Sequence, residues 1–176
     1  RLSGTIGDIY PDAHARVQYS ELGSRHELRQ FIRYIVLGCL ADQKPGLELP
    51  PRSVLVARKG AVACFELTTA ECVATMRELL ELYVEAYQRP LPLFAHASLC
   101  YAEKLRKGGD EQAALRAARY EYGDRSGRPG LGKDLPDPYV EQLFGDFDQM
   151  VGLVGEGFGM TTMRLYGPLL QARRAG

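Results

Sequence analysis

The amino-acid sequence predicts a mixed α+β fold in which two β-hairpins pack against about six helices. Strand-forming residues flank turn signals in two places, which predicts the hairpins. Elsewhere apolar residues recur at three- and four-residue spacing, which predicts helices with one buried face. The 176 residues are 45% hydrophobic and 25% charged, a composition typical of a globular domain with a packed core. We therefore expect a single domain over residues 1–176.

The first predicted hairpin spans residues 1–22, with its turn at Pro11-Asp12-Ala13, because proline and aspartate favour turns. The second hairpin joins two strand-forming runs, Val54-Leu55-Val56 and Val62-Ala63-Cys64-Phe65. Between these runs lies Lys59-Gly60, where the glycine permits a tight turn. Each hairpin should contribute two neighbouring strands.

The first helix is predicted over residues 27–42, because its apolar residues lie on one face. Ser24 and Glu27 have the spacing of a capping box, in which the two side chains satisfy backbone N–H groups at the helix start. The predicted core-facing stripe consists of Leu28, Phe31, Ile32, Ile35, Val36 and Cys39.

A second capping box, Thr68-x-x-Glu71, predicts a helix that ends near Gln88. Its apolar residues again fall on one side, and charged residues occupy the other, which indicates one buried and one solvated face. The predicted buried side consists of Cys72, Val73, Met76, Leu79, Leu80, Tyr83, Val84 and Tyr87.

The next segment, Pro90-Leu91-Pro92-Leu93-Phe94, is predicted to be extended. Each proline fixes its own φ and pushes the preceding residue out of the helical region. Leu91, Leu93 and Phe94 can then plug the core of this domain. The same three side chains are candidates for docking a partner protein.

Further helices are predicted towards the end of the chain. Asp110 and Asp137 stand where helix N-caps belong. Residues 123–136 are rich in Gly, Pro and charged side chains, which predicts a loop or linker, and glycines interrupt residues 145–159. These helices cover residues 96–107, 110–122, 138–144 and a final segment that ends near residue 173.

Composition argues against several classes of protein. Zero net charge is unusual for a free-standing nucleic-acid binder. No apolar run approaches the roughly 20 residues of a membrane helix, so we expect no membrane association. Cysteines 39, 64, 72 and 100 lack paired short spacings, which favours buried thiols in a reducing cytoplasm and predicts neither a metal nor a cofactor. The chain opens on Arg1 without a signal-like segment, and we expect a piece of a larger polypeptide.

In skeleton, the first 34 residues resemble nucleases of the PD-(D/E)XK class. These enzymes carry an Asp on one strand and an acid-x-Lys pair on the next, which hold a divalent cation and activate water. RecB-type members add a helix with Gln-x-x-x-Tyr. Gly4-Thr5-Ile6-Gly7 and Val17-Gln18-Tyr19-Ser20 match the two strands, and Gln30 and Tyr34 match the helix.

The side chains that catalysis needs are missing from the matching positions. Gly7 replaces the Asp, Gln18 replaces the acid and Ser20 replaces the lysine. Neutral side chains of these types cannot hold a divalent cation strongly or activate water. The resemblance therefore implies a degenerate nuclease-like core without catalytic residues or a bound metal.

Two alternatives stay open at these positions. The metal ligands of an active nuclease could have migrated to Asp8, Glu21 and Glu27. The helix match could also be an ordinary amphipathic pattern, in which Gln30 is exposed and Tyr34 is half-buried.

Basic residues cluster loosely around the predicted hairpins and the first helix. Arg29 and Arg33 lie four positions apart, so a helix places them on one face. The cluster is either a solvated face or a set of phosphate contacts along a DNA channel. The candidates for DNA contact are Arg16, Arg25, Arg29, Arg33, Arg58 and Lys59.

Blocks of residues in the rest of the chain resemble the C-terminal domain of RecC, the gamma subunit of bacterial exodeoxyribonuclease V. The first is Leu79-Leu80-x-Leu82-Tyr83, followed by Arg89-Pro90-Leu91-Pro92-Leu93-Phe94. Asp137-Pro138-Tyr139 and Tyr166-Gly167-Pro168-Leu169-Leu170 resemble later blocks, in the family's order. One departure is Gly132-Lys133, where relatives usually have Gly-Glu.

The resemblance implies a non-catalytic scaffold and DNA-channel domain in a RecBCD-type helicase–nuclease complex, which serves double-strand-break repair and homologous recombination. Its partners would be RecB-like and RecD-like subunits and DNA, in the cytoplasm. ATP-dependent exonuclease activity would belong to the parent complex. The alternatives are an active PD-(D/E)XK nuclease and a pure protein-interaction module.

Overall fold

The computed structural model describes residues 5–123, 134, 138–154 and 157–174. Within these residues the fold is mixed α+β, as predicted, with seven α-helices and a four-stranded mixed sheet. The chain forms two compact units, one of Arg1–Glu81 with Gln171–Gly176 and the other of Leu82–Leu170. None of the described helices is both long enough and apolar enough to cross a membrane.

The sheet belongs to the first unit and has the strand order β1-β2-β3-β4. Its strands are β1 (His14–Val17), β2 (Ser53–Val56), β3 (Val62–Phe65) and β4 (Arg173–Arg174). β1 pairs parallel with β2, and the other two pairings are antiparallel. Parallel neighbours need a crossover connection, which helix α1 (Ser24–Gln43) supplies.

The second predicted hairpin is confirmed. β2 and β3 pair in antiparallel register, with Val56 opposite Val62. The connection is a short 3₁₀ turn, Arg58–Gly60, in which Lys59 has a positive φ of 63°. The sheet also contains β4, which the sequence analysis missed because a two-residue strand has no periodic pattern.

The first predicted hairpin is wrong in its extent. Its turn exists, because Tyr10 N donates to Ala13 O at 2.9 Å and Ile9 bridges to His14. However, residues 5–8 form no strand, and Asp8 has a positive φ of 62°, which no extended strand accommodates. Residues 1–4 lie outside the described residues.

The start of α1 differs from the prediction. Its N-cap position is Gly23 in an extended conformation, one residue before the Ser24 of the predicted capping box. Glu27 pairs with Arg173 of β4. The buried face is rotated from the predicted stripe, since Ile32 is exposed whereas Gln30 is buried.

Helix α2 (Thr69–Gln88) begins with the predicted capping box. Thr68 N donates to Glu71 Oε2 at 2.7 Å, and Glu71 N donates to Thr68 Oγ1 at 3.2 Å. The predicted buried stripe of α2 is confirmed at Cys72 but is wrong towards the C-terminal end of the helix. Leu80, Tyr83, Val84 and Tyr87 are exposed, whereas Leu82 is buried in their place.

The second unit contains most of the remaining helices, and all but one of them were predicted. They are α3 (Ala95–Arg106), α4 (Glu111–Tyr122), α5 (Pro138–Phe144), α6 (Phe147–Val154) and α7 (Gly157–Ala172), whose last two residues belong to the first unit. The missed helix is α6, predicted as part of a glycine-interrupted stretch.

Side-chain caps fix where the helices of the second unit begin. Asp110 Oδ1 accepts from Ala113 N at 2.6 Å, which confirms its predicted cap on α4. Asp146 and Gln149 cap α6 reciprocally at 2.8 and 2.9 Å, a signal that was present in the sequence. Asp134 Oδ2 accepts from His96 N and Ala97 N at the start of α3. Asp137 and most of the predicted loop at 123–136 lie outside the described residues.

The core of the second unit is aromatic. Phe147 packs against Tyr122 and Phe158, with ring centroids 5.6 and 5.8 Å apart, and Phe158 packs against Tyr101 at 5.3 Å. These four rings are almost completely buried. Edge-to-face geometry stabilises such pairs beyond the burial of their area.

Candidate functional site

A buried glutamine ties α1 to the sheet. Gln30 is 1% exposed, and its Nε2 donates to Ser53 Oγ at 2.9 Å and lies 3.3 Å from His14 Nδ1. The same amide nitrogen lies 3.4 Å from the carbonyl oxygen of Val54. One side chain of the helix therefore holds both β1 and β2.

His14 is the histidine of this network and is buried with it. Its Nδ1 lies 3.0 Å from Ser53 Oγ. Burial lowers the pKa of His14 below its ordinary value; the charge of Asp8 raises it and that of Arg16 lowers it by smaller amounts. In the tautomer that carries its proton on Nε2, the neutral ring of His14 accepts hydrogen bonds at Nδ1.

Tyr34, one turn after Gln30, is fully buried, and its hydroxyl donates to Pro50 O at 2.9 Å. Burial raises the pKa of Tyr34 to about 12. The alternative in which Gln30 is exposed and Tyr34 is half-buried is therefore wrong. Both side chains of the Gln-x-x-x-Tyr pattern fasten α1 to neighbouring chain segments.

Beside this network, side chains from β1, α1 and β2 line a cleft of about 20 Å³. That volume has room for about one water molecule. Leu55 of β2 contributes apolar surface. The polar lining consists of Arg16, Gln18, His26, Arg29, Gln30 and Arg33.

Three guanidinium groups and no carboxylate line this cleft. Arg16 and Arg33 are half-buried, and Arg29 is exposed. None of the three forms an ion pair with any residue that the structure describes. The cleft therefore has a concentrated positive charge, although the whole chain has a net charge of zero.

Two polar atoms of the cleft are buried without a hydrogen-bond partner in the described part of the chain. They are Oε1 of Gln30 and Nδ1 of His26. A buried polar atom without a partner is rare, because desolvating it costs free energy that no bond offsets. Both atoms belong to residues that line the cleft.

The remaining candidates for DNA contact lie outside this lining. Arg25, Arg58 and Lys59 are exposed. Lys59 Nζ lies 3.3 Å from Glu21 Oε1, in an ion pair whose two side chains are largely solvated. Such exposed pairs contribute little to stability.

Of the three positions that match nuclease ligands, the structure brings only one to the cleft. Gln18 lines it, and Gln18 N continues the β1–β2 ladder by donating to Val56 O at 2.9 Å. Gly7 and Ser20 are exposed and do not line it. The hairpin expected for a PD-(D/E)XK core is not confirmed.

The alternative metal ligands are not brought together either. Glu27 pairs with Arg173 and Glu21 with Lys59. Asp8 contributes its backbone oxygen to Ala15 N. Among residues 5–123, 134, 138–154 and 157–174, no group of three His, Cys, Asp or Glu side chains has the arrangement of a metal site.

The candidates for partner docking lie in the second unit. The ring of Phe94 packs against Tyr122 at 4.8 Å and against Phe144 at 5.9 Å, inside the aromatic core. Leu91 and Leu93 are half-buried. A more accessible apolar surface lies on α2, where Tyr83 and Tyr87 stack edge to face at 5.1 Å.

Sequence reasoning missed His14 and Ser53, because neither residue belongs to a recognisable motif. A usable signal was the alternation Arg16-x-Gln18, which places both side chains on one side of a strand. Together with Arg29 and Arg33 on one helix face, it could have indicated a shared cleft.

Comparison with known proteins assigns the chain to a family. The sequence-family model of the RecC C-terminal domain matches residues 1–106 of this chain. The RecBCD enzyme subunit RecC of Mycobacterium tuberculosis, from strains CDC 1551 and H37Rv, is 29% identical over 180 aligned residues. The alignment covers 98% of this chain and 16% of those relatives, so the chain spans about one sixth of their length. The chain belongs to the RecC C-terminal domain family.

Proposed function

We propose that this domain is a non-catalytic scaffold and part of the DNA channel of a RecBCD-type helicase–nuclease complex, which serves double-strand-break repair and homologous recombination. The observation that carries the proposal is the cleft lined by Arg16, Arg29 and Arg33 without a carboxylate. The RecC relatives support the assignment to such a complex.

The chemistry of the cleft supports a non-catalytic role. Mg²⁺ and Mn²⁺ prefer carboxylate, carbonyl and water oxygens. Here Gln18 occupies the position that matches a nuclease acid, and three guanidinium groups line the same cleft. Their positive charge would repel a divalent cation and attract an anion.

The buried contacts support a scaffold role. Gln30 fastens α1 to two strands, and the rings around Phe147 form a closely packed core in the second unit. Rigid elements of this kind can present surfaces to other subunits. On this proposal the domain contacts RecB-like and RecD-like subunits and DNA in the cytoplasm, and ATP-dependent exonuclease activity belongs to the parent complex.

The basic side chains support contact with the DNA backbone. Phosphate contacts position a protein on DNA without reading its sequence, and arginine is a common donor. Arg25, Arg58 and Lys59 are exposed and would extend the contact beyond the cleft. The zero net charge of the chain confines this attraction to a local surface.

The proposal is tested by incubating the purified 176-residue chain with linear DNA and Mg²⁺ or Mn²⁺, and by measuring DNA binding across salt concentrations. We expect no cleavage and a binding constant that falls as salt rises, with a log–log slope of about −0.9 for each phosphate contacted. Cleavage that Asp8→Asn abolishes would overturn the non-catalytic role. Binding that does not depend on salt would overturn the DNA-channel role.

A second candidate function is a pure protein-interaction module, which the exposed apolar surface of α2 favours. Tyr83 and Tyr87 are 59% and 77% exposed, and Val84 between them is 55% exposed. Exposed aromatic side chains are enriched where proteins bind proteins. Loss of RecB-subunit binding on Tyr87→Ser, without DNA binding by the unmodified chain, would favour this function over the first.

A further inference from the structure

We infer that the cleft between β1 and α1 is a binding site for one phosphate group of a nucleic-acid backbone, held by Arg16, Arg29 and Arg33. This inference rests on the proposed DNA-channel role and adds to it a single defined subsite. It assigns the cleft to a phosphodiester oxygen rather than to a base, a metal ion or a protein side chain.

The cleft arginines differ from the other half-buried arginines that the structure describes. Arg164 and Arg173 are also half-buried, and each pairs with a carboxylate, on Glu85 and Glu27 respectively. The cleft arginines have no such partner within the described residues, although two of them are half-buried. Partly desolvated cations of like charge repel one another, and an anion between them removes that repulsion.

The charges of the cleft come from two secondary-structure elements. Arg29 and Arg33 are four apart on α1, so they project from one face of the helix. Arg16 projects from β1 on the same side as Gln18. Because β1 and α1 both line the cleft, guanidinium groups reach it from two rigid elements. Guanidinium forks match the oxygens of a phosphate and form charge-assisted hydrogen bonds with them.

The cleft is also small. Its interior of about 20 Å³ has room for a single oxygen or water. The phosphate would therefore sit at the mouth with one oxygen directed inwards, and the contact would carry no sequence information.

The buried atoms without partners support the same assignment. Nδ1 of His26 becomes a hydrogen-bond donor in the tautomer that carries its proton there. Oε1 of Gln30 is an acceptor, and it would accept from a cleft guanidinium or from a water bound beneath the phosphate oxygen.

Inorganic phosphate is the first probe. We expect phosphate to raise the melting temperature of the 176-residue chain above that in chloride at equal ionic strength. Arg33→Gln should abolish this increment, and Arg77→Gln is the matched control, because it removes the same charge from an exposed position on α2. Arg29→Gln repeats the test at an exposed cleft position, in case Arg33→Gln fails to fold by circular dichroism.

DNA binding by the same variants separates this inference from the proposed function. We expect Arg33→Gln and Arg29→Gln to weaken DNA binding about tenfold and to lower the salt slope by about 1, with little change in Arg77→Gln. Equal DNA binding by all three variants would overturn the phosphate site and leave the DNA-channel role intact. If phosphate raises the melting temperature of a chain that binds no DNA, the cleft is a site for free phosphate, and the assignment to nucleic acid is overturned.

Discussion

Replacing Gln30 with leucine tests whether the buried amide holds α1 to the sheet. Leucine is close to glutamine in volume, so the change removes hydrogen bonds without opening a large cavity. The 2.9 Å bond to Ser53 contributes about 1 kcal/mol, and the 3.3 Å contact with His14 contributes less. The polar groups of Ser53 and His14 that lose a partner cost about 1–3 kcal/mol. Leucine also removes Gln30 Oε1, which is buried without a partner, and this offsets part of that cost.

The free energy of unfolding should therefore fall by about 2 kcal/mol in Gln30→Leu. For a chain of this size, that corresponds to a fall in melting temperature of about 4–8 °C. Urea unfolding followed by circular dichroism measures the change. The control is Gln43→Leu, the same replacement at the exposed last residue of α1, which should stay within about 0.5 kcal/mol of the unmodified chain.

A double-mutant cycle with Ser53→Ala identifies the partner. Because Gln30 and Ser53 are in direct contact, their destabilising effects should be non-additive by at least about 0.5 kcal/mol. If Gln30→Leu is as stable as Gln43→Leu, or if the two effects simply add, the amide does not hold the helix as described.

Three further predictions concern the first unit and α6. Folding lowers the pKa of His14, so its contribution to the free energy of unfolding is complete above the unfolded pKa of about 6.5 and is lost as pH falls towards the lower folded pKa. The free energy of unfolding should therefore decline less between about pH 7.5 and pH 5 in His14→Gln than in the unmodified chain. Burial raises the pKa of Cys72 to about 12, so a thiol reagent at about pH 8 should modify this residue only after urea is added. Rapid labelling of Cys72 itself in the folded chain, located by mass spectrometry, would contradict its burial. A Cβ on Gly38 would overlap the side chain of Cys72, so Gly38→Ala should lower the free energy of unfolding by about 1–3 kcal/mol. Gly152 has open space around it, so Gly152→Ala should raise the free energy of unfolding by up to about 1 kcal/mol. Equal effects of the two substitutions in urea unfolding would refute the close packing of Gly38 against Cys72.

Local signals predicted much of the fold. The turn at Lys59-Gly60, the capping box at Thr68 and the N-cap at Asp110 depend only on neighbouring residues, and the structure contains all three. The start of α5 at Pro138 also agrees with the prediction, since proline suits the first turn of a helix.

The errors arose where distant residues decide the outcome. β1 pairs with β2, which lies more than thirty residues away, and no local pattern distinguishes this pairing from a hairpin. The C-terminal half of α2 has apolar residues at helical spacing, which predicted a buried face. Burial depends on what packs against the helix, however, and Tyr83 and Tyr87 are exposed. Gln30 is polar, so periodicity placed it on the wrong face.

The same dependence on packing limited prediction of the cleft. The sequence identified Arg29 and Arg33 as neighbours through their helical spacing, but it grouped Arg25, Arg58 and Lys59 with them. β1 pairs parallel with β2, and α1 is the crossover connection between them. This pairing brings Arg16 and Gln18 to the cleft that Arg29 and Arg33 of α1 also line.

Burial accounts for which parts of the nuclease pattern this chain can replace without losing its fold. Gln30 and Tyr34, which match the pattern, form buried hydrogen bonds to Ser53 and Pro50, so replacing either leaves polar groups without partners. Gly7 and Ser20, which depart from it, are exposed. A Cβ at Gly7 would meet no atom within 4 Å, so nothing nearby demands a particular side chain there.

Chemistry and architecture are therefore separable in this fold. Two of the three positions that match nuclease ligands, Gly7 and Ser20, are exposed, and substitution at exposed positions costs little stability. Side chains that join the helix to the strands stand in the core, where substitution costs about 2 kcal/mol or more. The framework that positions Gln18 and the arginines of the cleft therefore does not depend on which side chains stand at positions 7 and 20.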